Sequence, residues 1–235
     1  MIVSIHQPAY LPWLGHFDRV ARSDLHVVLD HVQFEKNSFV NRNRVRSTQG
    51  AVWLTVPVRT AGRFGRLPIC QVETASTRWQ RKHWATLRHC YAHTEHFAAH
   101  AGFFEQLYRQ DWPALEPLLR ESTGYLQAAF GIRTPVVRSS ELKVGGEKSA
   151  LVLALCEAVG ATTYLSGPLG RDYLDLASFA DAGIAVTFHD YRQPVYRQSG
   201  PGFQANLSAI DLLFNCGGMG FAELTGPLPA KEASA

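Results

Sequence analysis

The 235-residue chain has few cysteines, little net charge and no long apolar run. Its four cysteines, Cys70, Cys90, Cys156 and Cys216, are scattered. No two have the spacing of a metal or redox pair, so free thiols in a reducing cytoplasm are expected. The apolar runs are far shorter than the ~20 residues that a membrane helix needs. No basic segment precedes the apolar residues at the start, so neither a transmembrane segment nor a secretory leader is expected. The formal net charge of +3 does not mark a nucleic-acid binder. There is no internal repeat and no low-complexity linker. What remains is the composition of a globular protein: 46% hydrophobic and 18% charged residues, enough to bury a real core.

The most informative stretch is the first. Ile2-Val3-Ser4-Ile5 favours a strand and runs directly into His6-Gln7. Pro8, Pro12 and Gly15 then shape a loop that carries Tyr10 and Trp13 and leads into a helix near Asp18. Leu25-His26-Val27-Val28-Leu29 follows as a second strand ending at Asp30. Strand, helix and strand in this order indicate a βαβ unit and a parallel sheet. Right-handed crossover puts His6-Gln7 and Asp30 at the same carboxyl edge, where open α/β sheets bind ligands. Asp30 fits a base, a hydroxyl acceptor or a cap for the next turn.

Arg42, Arg44 and Arg46 alternate, which in an extended segment gives one basic face, with Asn41 and Asn43 on the other. Guanidinium groups on one face suit phosphate or carboxylate. A strand is expected over 53–58 and a short one over 69–72, with a basic loop at 59–67 between them. From Arg78 the period becomes helical, and Lys82-His83 falls within that helix. His89, His93, His96 and His100 recur every three or four residues, the spacing of one helical face, but no well-placed carboxylate besides Glu95 accompanies them in an Ala-rich tract, and no metal site is expected there. Further helices are expected over 103–124, with a break or restart at Trp112-Pro113, and over 118–130, followed by a strand over 132–137 and a helix over 150–159. The glycines of Gly145-Gly146-Glu147-Lys148-Ser149 lack the spacing of a phosphate loop. Thr162 to Gly167 reads as a strand ending in a small polar turn at Ser166-Gly167, followed by Asp172. The strand over 185–189, the aromatic-polar segment around Tyr196 and the helix over 207–214 complete the chain. The fold class expected is α/β: a mainly parallel, Rossmann-like sheet flanked by helices. It forms a single domain over 1–220, with a helical insertion at about 78–131 and a flexible tail at 221–235.

Several blocks together resemble the WbqC-like protein family. They are His6-Gln7-Pro8-x-Tyr10-Leu11-Pro12-Trp13-Leu14-Gly15, Leu29-Asp30-x-Val32-Gln33-Phe34-x-Lys36, Asn41-Arg42-Asn43-Arg44, Trp53-Leu54-Thr55-Val56-Pro57-Val58, Lys82-His83, Tyr164-Leu165-Ser166-Gly167 and Leu207-Ser208-x-Ile210-Asp211-Leu212-Leu213-Phe214-Asn215. The resemblance extends to about Gly218 and departs at His16, where an aromatic residue is usual. It implies a role in bacterial O-antigen or other polysaccharide gene clusters, with glycyl or other aminoacyl transfer as the activity.

Three functions compete. In an aminoacyl- or acyltransferase, His6 acts as general base, Asp30 orients it, and Lys82 or His83 takes part in acid-base or phosphate contact. Gln7, Asn41 and Ser166 donate to the oxyanion, and Tyr10, Trp13, Arg42, Gly167, Asp172 and Tyr196 complete the substrate wall. The partners are a sugar-linked small-molecule acceptor and an activated acyl or aminoacyl donor, such as a carrier-protein thioester; no cofactor is expected. A nucleotidyltransferase would use ATP or another nucleoside triphosphate instead, gripped by His6 and Gly15-His16 with Ser139-Ser140-Glu141 near the later strand, although the usual His-x-Gly-His spacing is missing. The third reading is a non-catalytic module that binds a nucleotide sugar.

Overall fold

The computed structural model describes residues 1–226 apart from Phe64, Arg66 and Thr77. The elements in chain order are β1 (Ile2–His6), α1 (Leu14–Ala21), β2 (Leu25–Val28), β3 (Arg42–Ser47), β4 (Gly50–Thr55), α2 (Arg78–Tyr91), α3 (Phe97–Arg109), α4 (Leu115–Ala129), β5 (Val136–Arg138), α5 (Ser139–Leu142), α6 (Lys148–Ala158), β6 (Thr163–Ser166), α7 (Leu176–Asp181), β7 (Ala185–Phe188), α8 (Ile210–Cys216) and α9 (Met219–Thr225).

Five strands form a parallel sheet in the order β5-β2-β1-β6-β7. This is the α/β fold expected. The chain steps outward from β1 to β2 and β5, then crosses back to β6 and outward to β7. Direction therefore reverses between β1 and β6, and the carboxyl ends there form the crevice where such sheets take ligands.

Alternation along β1 separates two environments. Val3 and Ile5, with Val27 of β2, pack against Leu151, Val152 and Leu155 of α6 and Phe179 of α7. Ser4 and His6 point to the opposite face. The register pairs Ser4 with His26 and His6 with Val28, so His26 shares that face. Parallel sheets are normally apolar on both sides, and here the α1 side carries a serine and two histidines. The larger core lies on that side, where Leu14, Phe17 and Val20 of α1 join residues of the hairpin and of α2, α3, α4 and α8. A Cβ on Gly15 would stand 2.5 Å from the Trp13 ring, so the glycine lets the indole fold over the start of α1.

Several local expectations change. The strand expected over 53–58 lies at Gly50–Thr55, paired antiparallel with β3. Pro57 falls beyond its end, since proline cannot continue the ladder. Residues Ile69–Gln71 form a 3-10 turn after Pro68 rather than a strand. The break expected at Trp112-Pro113 within 103–124 separates two helices, α3 and α4, at 110–114. His89 to His100 do not share one helical face: α2 ends at Tyr91 and α3 begins at Phe97, so the histidine period crosses a turn. Helix α9 occupies 219–225, the start of the stretch read as a tail; residues 227–235 lie outside those described. The basic loop at 59–67 is described only in part, because Phe64 and Arg66 fall within it. All four cysteines are free.

Candidate functional site

Three histidines meet at the carboxyl end of the central strands. The His6 ring lies 4.1 Å from that of His16 and 4.2 Å from that of His26, centre to centre. Each comes from a different element: the end of β1, the first turn of α1, and β2. The β1–β2 register and the crossover helix between them assemble the trio.

Hydrogen bonding fixes two of the rings. His6 Nδ1 lies 3.1 Å from the Gln7 carbonyl oxygen, and His26 Nδ1 lies 3.1 Å from the Ser4 carbonyl oxygen. A carbonyl only accepts, so His6 carries its proton on Nδ1. His26 Nδ1 also lies 3.0 Å from Ser4 Oγ; with the Ser4 carbonyl as its acceptor the proton sits on Nδ1 there too, and the hydroxyl turns its own hydrogen elsewhere. The Nε2 atoms of both rings are left as acceptors, and both are buried without a hydrogen-bond partner among the described residues. Burial holds the His6 and His16 imidazoles well below their ordinary range, reinforced by their histidine neighbours and Arg19. Burial, then Arg19, lowers His26 to about 3. All three are therefore neutral at pH 7.

A cavity of about 220 Å³ opens beside them, lined by Pro8, His16, His26, Gln127, Glu116 and Arg138 among others. His6 is not among the lining residues; it sits behind the other two. Across the cavity Arg138 Nε donates to Glu116 Oε1 at 2.5 Å, a half-buried pair. On the other side of His6 lies the β1/β6 reversal. There the Arg19 guanidinium packs against Gly167, where a Cβ would meet Nη1 at 2.3 Å. Ser166 Oγ donates to the Gly167 carbonyl. Arg19 Nε is buried without a partner, and no carboxylate pairs with Arg19 among the described residues. Arg19 is half-buried, and a bound anion would pair with its guanidinium.

The structure divides the residues singled out from the sequence. His6, Gln7, Ser166 and Gly167 gather at the reversal, and Asp30 stands at the next strand end. Both Asp30 oxygens are engaged: Ser139 Oγ and the Ser140 amide donate to Oδ1, and Ser140 Oγ donates to Oδ2 at 2.7 Å. Asp30 thus caps α5. His83 and Tyr10 belong to the larger core, where the Tyr10 hydroxyl contacts His83 Nδ1 at 2.9 Å and Tyr108 at 2.6 Å. Lys82, one residue earlier, is exposed. Asn41 donates to the Val56 carbonyl, which fixes the hairpin, and Arg42 stacks 4.4 Å over Trp53. Trp13 rests against Tyr191. Tyr196 donates to Asp211 Oδ2, and Asp172 is exposed at the end of a 3-10 turn. Among the described residues, no side-chain hydrogen bond or ring contact links these groups to the histidine trio; the His16 amide donates to the Trp13 carbonyl at 3.1 Å. His26 and Arg19 carry no signal of a site in the sequence, and His16 stands out there only beside His6 in the nucleotidyltransferase reading.

The blocks that resemble a known family correspond to these elements: the first spans β1 and the start of α1, and another ends at Ser166-Gly167. The family model for the WbqC-like protein family matches residues 7–222. The chain belongs to the WbqC-like protein family. It is similar to the uncharacterized protein Rv1507c of Mycobacterium tuberculosis (strain ATCC 25618 / H37Rv), with 35% identity over 217 residues. That alignment covers 92% of this chain and 94% of the relative. No solved structure matches the chain. Among the described residues, no helix is long and apolar enough to cross a membrane.

Proposed function

We propose that this WbqC-like protein is a transferase of bacterial polysaccharide or related sugar biosynthesis. It moves an aminoacyl or acyl group onto an amino or hydroxyl group of a phosphate-linked sugar. One observation carries the reading: neutral imidazoles with uncommitted nitrogens stand between a cavity and an unpaired guanidinium. The sugar occupies the cavity, and its phosphate meets Arg19 and the Ser166-Gly167 turn. His26 is the general base. Its Nδ1–H is held by the Ser4 carbonyl, which aims the Nε2 lone pair away from the strand. Burial keeps His26 unprotonated at pH 7, and a positioned base contributes at most about 10²- to 10⁴-fold, the upper end requiring a pKa nearer the working pH. Family membership supports the polysaccharide setting.

The test is product formation, followed by mass spectrometry, from acyl or aminoacyl thioesters and a panel of nucleotide-linked sugars. His26→Asn keeps an N–H toward Ser4 but has no imidazole lone pair, and should lose about 10²- to 10⁴-fold in kcat. Arg19→Gln should raise KM for phosphate-linked acceptors more than it lowers kcat. Turnover by H26N at the wild-type rate removes the base assignment. Pyrophosphate release from ATP in place of acyl transfer would favour nucleotidyl transfer at the same crevice.

A further inference from the structure

We propose that His6, His16 and His26 form a site for one divalent transition-metal ion. One ring nitrogen from each histidine lies within 4.8 Å of the others. A tetrahedral ion with metal–nitrogen bonds of about 2.0–2.1 Å sets its nitrogens roughly 3.4 Å apart. Binding therefore requires the trio to contract from its present separation of up to 4.8 Å. No second grouping of three such side chains occurs among the described residues.

Ring orientation is the independent argument. Metal-binding imidazoles commonly donate their second ring N–H to a backbone carbonyl or a carboxylate, which fixes the tautomer and aims the lone pair. His6 does so through Gln7 and His26 through Ser4. Both remaining Nε2 atoms are buried and unpartnered. A buried acceptor with no donor is uncommon in folded proteins and calls for an explanation such as an ion. An ion bound there would satisfy both atoms at once.

The donor set identifies the class of ion. Three neutral nitrogens without thiolate or carboxylate suit Zn²⁺, Co²⁺, Ni²⁺ or Cu²⁺ and discriminate against Mg²⁺ and Ca²⁺. The site is three-coordinate from protein, and two of its ligands, His16 and His26, line the cavity. An open fourth position facing a cavity characterises a reactive zinc site rather than a structural one. The charge of Arg19 nearby opposes a dication, and an anion paired with Arg19 would cancel that opposition. The inference rests on the geometry of the trio and not on the transfer reaction. The ion and the base role are mutually exclusive at His26 Nε2: the ion-loaded protein cannot use His26 as a base, so binding is measured with the metal alone and separately from turnover.

The experiment titrates the full chain, after dialysis against a chelator, with Co²⁺ followed by visible absorption and with Zn²⁺ followed by calorimetry. The expected result is one equivalent bound, with the intense visible bands of low-coordinate Co²⁺. His16→Phe retains a ring of similar size in α1 and should weaken binding at least tenfold while the circular dichroism spectrum is unchanged. His6→Gln is the second ligand variant and should behave alike. A triple variant at His93, His96 and His100 tests adventitious binding on the helical layer and should leave the stoichiometry at one. The proposal is overturned if the wild type binds neither ion more tightly than H16F and H6Q. Loss of the bound equivalent in the triple variant would also overturn it.

Discussion

The Arg19 guanidinium and the Gly167 α-carbon are in contact, with room for no side chain between them: a Cβ at 167 would lie 2.3 Å from Nη1. Gly167 has an ordinary backbone conformation, φ −71°, so alanine there strains no torsion. Gly167→Ala should instead push the flexible end of Arg19 out of the β1/β6 crevice. The expected outcome is a stability change within about 1 kcal/mol, with markedly weaker binding of phosphate-linked ligands. Thermal melts and ligand titrations check both parts. Unchanged ligand affinity in a folded G167A protein would separate Arg19 from ligand binding.

The buried histidines make stability fall in mild acid. His26 titrates at about 3 and His83 at about 4, each lowered chiefly by burial, whereas unfolded histidine titrates near 6.5. Between about pH 6.5 and 4 the unfolded chain binds these protons and the folded chain does not. Folding stability therefore drops as pH falls through that window, by about 1.4 kcal/mol per pH unit for each group. Urea midpoints at pH 7.5 and 5.5 measure the loss. His83→Asn should flatten the slope, and a midpoint independent of pH would contradict the neutral burial of these rings.

Asp30 is expected to act through structure. With Ser139 and Ser140 occupying both oxygens, Asp30→Ala removes the cap of α5 and should cost about 1–2 kcal/mol. Activity per folded molecule should stay within about threefold of wild type, far from the 10²- to 10⁴-fold expected of a base. A larger loss at unchanged stability would return Asp30 to the chemistry.

Arg46 fastens the irregular segment before α8. It is 4% exposed. Its guanidinium donates to Ser199 O, Gln198 Oε1, Pro201 O and Gly202 O at 2.5–2.8 Å. Arg46→Lys offers a single nitrogen to these dispersed acceptors and should rescue little of the Arg46→Ala defect, which is on the order of 3 kcal/mol. Limited proteolysis of R46K should reveal new cleavage around 198–202.

The fold was largely legible because its signals are local. The βαβ opening, the His6 strand end and the turn at Ser166-Gly167 can all be read from pattern and turn chemistry. The site was legible at His6-Gln7 and at the Ser166-Gly167 turn, whereas its other members are set by long-range registration. His26 lies in Leu25-His26-Val27-Val28, which reads simply as a buried strand. Only the pairing of Ser4 with His26 turns its ring toward His6. His16 and Arg19 look like ordinary helix residues until the chain reverses between β1 and β6. Lys82-His83 misled for a related reason. Neighbours on a helix point about 100° apart, so one meets solvent and the other the Tyr10–Tyr108 core.

The polar α1 face of the sheet implies a trade between durability and activity. The trio occupies positions where aliphatic or aromatic side chains would bury apolar surface and leave no orphaned nitrogen. A sequence selected for stability alone would lose these imidazoles first. Apolar replacement of His16 should therefore raise the melting temperature of the protein even as it removes the site. The larger core around Phe17, Leu87 and Phe214 provides the reserve that lets β1 and β2 keep histidines at their centre.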